Sequence, residues 1–239
     1  MLAVSITHAP EKELLMSFNL LITGANRGIG LEFVHQYAEA GWRVYACCRK
    51  PQNADALHHL EKKYEGLISV HELDVGNFNQ INQLAKELSG VVIDLLINNA
   101  GIYSHNYSAR PNTVNEEAWI ESFRINSIAP LKMVDAFTLH IVKSQLKKIA
   151  NITSKMGSVD DNTSGGHYLY RASKAALNMI TKSLAIDLAP QRILVSLLNP
   201  GWVRTDMGGP NGLISVEQSV AGMRKVIEKL TPANSGKFY

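Results

Sequence analysis

The sequence predicts an α/β fold: a doubly wound, mainly parallel sheet flanked by helices on both faces. Three observations predict it. Short apolar runs rich in β-forming residues recur six times along the chain. The segments between them carry the apolar spacing of amphipathic helices, and strands that alternate with helices build parallel units with right-handed crossovers. A glycine-rich turn follows the first run directly, at the carboxyl end of a strand, where sheets of this kind place their ligands.

The six runs are FNLLI (18–22), RVYAC (43–47), LISV (67–70), VIDLLI (92–97), KIANIT (148–153) and ILVSLL (193–198). LEFVHQYAEA and INQLAKEL show the helical spacing between them. No repeat, low-complexity tract or Pro/Gly linker divides this alternation, and 239 residues at 46% hydrophobic suffice for one core. The expected organisation is a single domain over residues 17–239, preceded by an N-terminal extension over residues 1–16. Met16 stands just before the first strand, so the segment ahead of it reads as a dispensable extension or as a product of start-site choice. The chain ends in GKFY, where a last strand begins.

Composition excludes several classes of partner. The formal charge is only +3 and the basic residues are scattered, with nothing denser than doublets such as Lys62-Lys63 and Lys147-Lys148, so no nucleic acid is expected. No membrane is expected either, because no apolar run approaches the roughly 20 residues of a spanning helix and VVIDLLI is interrupted by Asp94. Cys47 and Cys48 are the only cysteines and are adjacent, which argues for a reducing compartment rather than a disulfide framework. MLAVSITHAPEKELL lacks the basic start and long apolar middle of a signal peptide, and a cytoplasmic localisation is expected. No metal site is expected: the eight histidines form no cluster with acids or thiols, and His58-His59 reads as part of an exposed helix. Trp119, Phe123 and Phe137, at helical spacings, are candidates for the core or for a subunit contact.

The turn TGANRGIG brings Gly24, Gly28 and Gly30 to the start of the helix LEFVHQYAEAG. Backbone N–H groups and the positive end of that helix suit a pyrophosphate, which side chains at these positions would keep away. Taken alone, a glycine trio is also compatible with a plain tight turn; its place after the first strand favours a dinucleotide. Arg27 lies in the turn, and Arg49 follows the second strand, where an NAD-specific site offers a carboxylate. A guanidinium pair suits a 2′-phosphate, so the expected cofactor is NADP(H). Asp74, at the end of HELDV, is placed to accept from an adenine amino group or to cap the following helix.

The stretch HYLYRASKAA carries two tyrosines upstream of Lys174. Side chains four apart share a helical face and those six apart do not, so Tyr170 can meet Lys174 and Tyr168 cannot easily. By itself such a pair reads as an ordinary helix-surface contact, but a nearby ammonium also stabilises the phenolate of a tyrosine, whose ordinary pKa is near ~10, and so suits it to proton donation. Ser154, closing the run NITS, would donate to a carbonyl oxygen, and strand alternation allows only one of Thr153 and Ser154 to face the pocket. Asn126 lies in the long helical segment NEEAWIESFRINSIAPLKMVDAFTLHIV with Pro130 four residues later. Proline has no N–H to return, so the Asn126 carbonyl loses its helical partner and the helix is expected to kink there.

In order along nearly all the chain after residue 17, TGANRGIG, LDV, INNAG (97–101), Asn126, Ser154, YRASK (170–174) and NPGWVRT (199–205) resemble the short-chain dehydrogenase/reductase family. Within it, DNTSGG, YRASKAALN and PGWVRTDMGG are most similar to the carbonyl-reductase branch called sniffer-like or C-factor-like. The resemblance implies a Rossmann-type fold and hydride transfer between NADP(H) and a small carbonyl or alcohol. It implies Asn126, Ser154, Tyr170 and Lys174 as the catalytic set, with a water joining Asn126 to Lys174. It further implies cofactor contacts from Gly24, Asn26, Arg27, Gly28, Ile29, Gly30, Arg49, Asp74, Val75, Asn99, Ala100, Gly101, Tyr170, Lys174, Pro200, Gly201, Val203 and Thr205, and pairing of two copies as a homodimer through two long helices. The sixteen positions from Ser154 to Tyr170 exceed the family spacing by about three, so KMGSVDDNTSGGHYL is expected to form a loop beside the pocket, while DMGGPNGLIS is a short lid. Alternative functions are a 3-oxoacyl-thioester reductase, which calls for a basic docking patch, and a C-factor-like signalling or regulatory protein that binds a dinucleotide.

Overall fold

In a computed structural model, the chain is described over residues 17–104 and 115–239; the expected extension over residues 1–16 lies outside the described residues. Six strands form one sheet: β1 (Asn19–Thr23), β2 (Arg43–Cys48), β3 (Ile68–Glu72), β4 (Leu95–Asn98), β5 (Lys148–Ile152) and β6 (Leu194–Leu198). Their order is β3-β2-β1-β4-β5-β6 and every pair is parallel. The expected six runs are thus the six strands. The chain winds outward from β1 to β3, then returns beside β1 to begin β4. The carboxyl ends of β1 and β4 therefore flank the switch point, where such sheets open a crevice.

Strand alternation separates two apolar layers. Leu20, Ile22, Leu95 and Ile97 pack with Phe33 of α1 (Gly28–Glu39), Leu57 of α2 (Asp55–Lys63) and Val220 and Ile227 of α7 (Val216–Glu228). On the opposite face, Leu21, Leu96 and Ile149 meet Ile81 of α3 (Phe78–Glu87), Phe137 of α5 (Ala129–Ile141) and Leu184 of α6 (Tyr168–Asp187). Fully burying a side chain such as Phe137 contributes roughly 1.5–3 kcal/mol. Phe137 is thus a core residue, while Trp119 and Phe123 stack on each other, half-buried, on α4 (Glu116–Phe123).

Asp94, the charge inside the fourth run, is buried and satisfied: it accepts from the Asn19 N–H (2.7 Å) and the Ser144 hydroxyl (2.6 Å). It ties the start of β4 to β1, and the regular strand begins one residue later. The expected kink at Asn126 takes the form of a π-helical turn, Arg124–Ile128, joining α4 to α5. Pro130 opens α5 and has no N–H to offer, and the wider turn accommodates it without breaking the helix. The Tyr239 N–H donates to the Leu197 carbonyl (3.0 Å) and Phe238 bridges Leu197 in parallel, beside β6.

Candidate active site

The loops after β1 and β4 are pressed together by backbone. A Cβ on Gly30 would lie 2.1 Å from the Gly24 carbonyl oxygen, and one on Gly24 would lie 2.9 Å from the Ala100 Cα, so neither position admits a side chain. Gly24 also adopts φ +67°, a left-handed conformation that favours glycine. The Thr23 hydroxyl accepts from the backbone N–H groups of Asn99 and Ala100, and the Asn99 amide donates to the carbonyls of Thr23 and Gly24, each at 3.0–3.1 Å. Asn99 therefore holds the glycine turn to β4. Helix α1 starts at Gly28 with no side-chain cap and no acid in its first turn, which leaves its positive end suited to an anion.

These loops line a cavity of about 480 Å³. Of the expected cofactor residues, Gly24, Asn26, Arg27, Gly28, Ile29, Gly30, Arg49, Asp74, Val75, Asn99, Ala100, Gly101, Tyr170, Lys174, Pro200 and Thr205 border it. Gly201 and Val203 do not: Gly201 packs against Ile214 and Val203 pairs with it. Asp74 accepts from the Gly76 N–H (2.9 Å), and the cap of α3 is Asn77, so the alternative helix-capping role of Asp74 is not the one adopted. Arg27 reaches across the cavity mouth to Asp206 (3.0 Å), a partner that sequence spacing did not suggest. Thr153, the alternative to Ser154, also lines the cavity, and Cys48, Leu73, Ile102, Ile125, Ile152, Arg204, Met207 and Val216 are further lining residues found only in three dimensions. The crowded glycines, the uncapped helix start and the cationic Arg49 fit a dinucleotide phosphate.

Tyr170 and Lys174 stand one turn apart on α6, with the Lys174 ammonium 5.7 Å from the centre of the Tyr170 ring. Tyr168, the first residue of α6, is exposed and plays no part in this pair. Lys174 is buried and donates to the Ile152 carbonyl (2.9 Å); burial lowers its pKa to about 8. Burial pushes the Tyr170 phenol up to about 12, against a hydrogen bond with Ser154 that pulls it down. Without a cofactor, burial outweighs that bond; the Lys174 ammonium and an oxidised nicotinamide ring are the groups expected to favour the phenolate.

Strand alternation does not decide between Thr153 and Ser154, because β5 ends at Ile152. Both lie beyond the strand, and hydrogen bonding separates them. Thr153 donates to the Asn178 side-chain oxygen (2.6 Å), whereas the Ser154 oxygen accepts from the Met156 N–H (3.1 Å) and bonds Tyr170. Asn126 has a role at its side chain that the helix-kink reasoning missed. Its oxygen accepts from the Ile102 N–H (2.9 Å), and its amide donates to the Ile102 carbonyl and to the Ser173 hydroxyl (both 3.0 Å). The loop after β4 is thereby clamped to α6. Gly101 leaves room for this meeting, since its Cβ would sit 3.2 Å from the Asn126 oxygen and 3.7 Å from the Lys174 nitrogen.

A parallel sheet whose switch-point crevice holds an uncapped glycine turn beside a Ser-Tyr-Lys cluster defines an oxidoreductase that uses a nicotinamide dinucleotide. The chain belongs to the short chain dehydrogenase family, whose model matches residues 19–212. It is 44% identical over 147 residues to the C-signal of Myxococcus xanthus, an alignment covering 62% of this chain and 87% of that protein. Among solved structures, the carbonyl reductase Sniffer of D. melanogaster superposes with a TM-score of 0.87 at 34% identity, covering 93% of this chain and 96% of that one. NADPH-bound carbonyl reductase from chicken fatty liver gives 0.84 at 35% identity, over 93% and 95%. No helix among the described residues is long and apolar enough to cross a membrane, and no group of His, Cys, Asp or Glu among them could hold a metal ion.

Proposed function

We propose that the protein is an NADPH-dependent carbonyl reductase that converts a ketone, aldehyde or quinone carbonyl to an alcohol. The observation that carries this reading is the buried Tyr170 phenol, beside Ser154 and flanked by Lys174, bordering the same cavity as the glycine turn. NADPH, when bound, supplies the hydride for the carbonyl carbon. Ser154 donates to the carbonyl oxygen and Tyr170 delivers the proton to it, leaving a phenolate. Lys174 stabilises that phenolate, and a water held between it and the Asn126 carbonyl, which Pro130 cannot bond, relays a proton from bulk solvent to restore the phenol.

Arg49 and Arg27 are assigned to the 2′-phosphate, with Arg27 leaving Asp206 on binding, and Asp74 to the adenine amino group. Thr205, with Pro200, is assigned to the nicotinamide end. The NADP(H) preference draws support from NADPH-bound and carbonyl-reductase relatives of similar fold and from the absence of an acid after β2. A cytoplasmic setting accords with two free, buried cysteines. A homodimer through the joined α4–α5 helix and α6 accords with the exposed Leu139, Met179 and Ile186 on those elements. Purified protein is to be assayed for NADPH and NADH oxidation against ketones, aldehydes, quinones and a 3-oxoacyl thioester. NADPH-dependent reduction supports the reading, and a preference for the thioester would redirect it to lipid synthesis. NADPH binding without reduction of any carbonyl would favour a dinucleotide-binding regulatory role, the second reading, to which the 44% identity with the C-signal gives weight.

A further inference from the structure

The loop between Ser154 and Tyr170 ends in an unusual backbone. Gly165, Gly166 and His167 follow one another with φ of 63°, 64° and 52°. Left-handed conformations cost a glycine little, but a non-glycine residue rarely adopts one, and a succession of three is rarer still. His167 is the residue immediately before α6, at φ 52° and ψ 37°, and its side chain makes no capping bond to that helix. The left-handed turn instead sends the imidazole toward the loop after β4. There its Nδ1 shares a hydrogen bond of 2.6 Å with the Tyr103 hydroxyl, and the two rings lie 5.7 Å apart.

Tyr103 is anchored from its other side. The Asn126 amide clamps both the N–H and the carbonyl of Ile102, the preceding residue, and so fixes the backbone from which Tyr103 projects. The Tyr103 ring then meets the Tyr170 ring with centroids 4.8 Å apart and planes at 65°, the edge-on arrangement that aromatic pairs prefer. Burial raises the Tyr103 phenol as it does that of Tyr170. The loop itself is braced to α6: Arg171 donates to the Ser164 hydroxyl (2.9 Å) and to the Met156 carbonyl (3.4 Å). Asn162 accepts from the Gly165 N–H (3.0 Å).

These contacts run from His167 through Tyr103 to the proton donor. His167 and Tyr170 lie three residues apart across the start of α6, and Tyr103 arrives from the β4 loop. A proton donor must hold its hydroxyl within about 2.6–3.2 Å of the oxygen it protonates. A phenol on a long side chain meets that requirement only if its ring is prevented from swinging. We infer that Tyr103 and His167 are positioning residues for Tyr170: His167, delivered by the lengthened loop, fixes Tyr103, and Tyr103 buttresses the Tyr170 ring. The additional residues between Ser154 and Tyr170 thus supply a brace for the donor as well as a pocket wall. The inference rests on the reading of Tyr170 as the acid.

Three variants separate side-chain bonding from backbone strain. Tyr103→Phe keeps the ring and removes its hydroxyl. His167→Gly keeps the left-handed backbone and removes the imidazole. His167→Asn places a polar δ atom where Nδ1 stood and tolerates the left-handed conformation, so it is the conservative rescue. With a reducible carbonyl, Tyr103→Phe and His167→Gly are expected to lower kcat on the order of 10- to 100-fold. KM and the NADPH Kd stay near those of the parent, and His167→Asn recovers most of the loss. NMR of the cofactor-free protein with labelled tyrosine ring carbons reads the same brace without turnover. The Tyr170 resonance, identified by its disappearance in Tyr170→Phe, should shift or broaden in Tyr103→Phe and His167→Gly and return in His167→Asn. An unchanged Tyr170 resonance in both of the first two variants overturns the inference, as does unchanged kcat. If the parent reduces no carbonyl, the function proposed above fails, and the resonance alone still decides whether the brace exists.

Discussion

The two ends of the cavity are built by different means. At the cofactor end, glycines are crowded by backbone, as Gly30 is by the Gly24 carbonyl, and short side chains such as Thr23 and Asn99 bond main-chain groups. At the reacting end, side chains hold one another: Ser154 meets Tyr170, Tyr103 leans on Tyr170, and Arg171 braces the preceding loop. The first end binds a group common to many reactions and has little latitude for substitution. The second meets a substrate that differs between enzymes, and loops carrying side chains can change there without disturbing the sheet.

Each end can be perturbed separately, and the largest effect is expected at the first. Gly30→Ala sets a methyl against the Gly24 carbonyl, so the turn must move; NADPH binding, followed by calorimetry, should be lost. Retained affinity would show that the turn has more freedom than its packing implies. Next, Lys174→Met removes the ammonium beside the phenol and should lower carbonyl reduction on the order of 10²-fold or more. The pH profile sharpens this point. Burial depresses the Lys174 pKa to about 8, so the side chain is charged below that pH and neutral above it. Reduction should therefore fall as pH rises through about 8, and Lys174→Arg, charged throughout, should carry the falling limb upward.

Smaller effects belong to the rim of the cofactor end. Arg49→Glu replaces the cation after β2 by the acid that a NAD site would offer. Loss of a charge-assisted bond worth about 1.5–3 kcal/mol should shift the NADPH-to-NADH preference by roughly tenfold or more. A variant that kept its preference for NADPH would remove Arg49 from the account. The smallest change is expected from Asp206→Asn, because its pair with Arg27 is 69% and 78% exposed at the two side chains. Releasing Arg27 should tighten NADPH binding by less than about fivefold, and the gain should vanish at high salt.

The sequence revealed the part of the molecule that local pattern determines. Six apolar runs became six strands, and the relation of residue 170 to residue 174 followed from helix geometry alone. The loop lengthened before Tyr170 was visible as a count of residues, though its left-handed end was not. What escaped depends on chains meeting in space. The pairing of Arg27 with Asp206 spans 179 positions, and the contact of Tyr103 with His167 spans 64. Pattern says least where regular structure stops. β5 ends before both Thr153 and Ser154, so alternation does not choose between them, and the kink expected at Asn126 takes the form of a π turn. The Asn126 side chain, clamping Ile102 to α6, could be found only once those two elements were seen to touch.

The most direct test of the proton donor is Tyr170→Phe, measured both for NADPH affinity and for NADPH oxidation with a carbonyl that the parent protein reduces. The ring and its packing remain, so affinity should be preserved, while reduction should fall on the order of 10²- to 10⁴-fold. Undiminished reduction in this variant would contradict the assignment of Tyr170 as the acid.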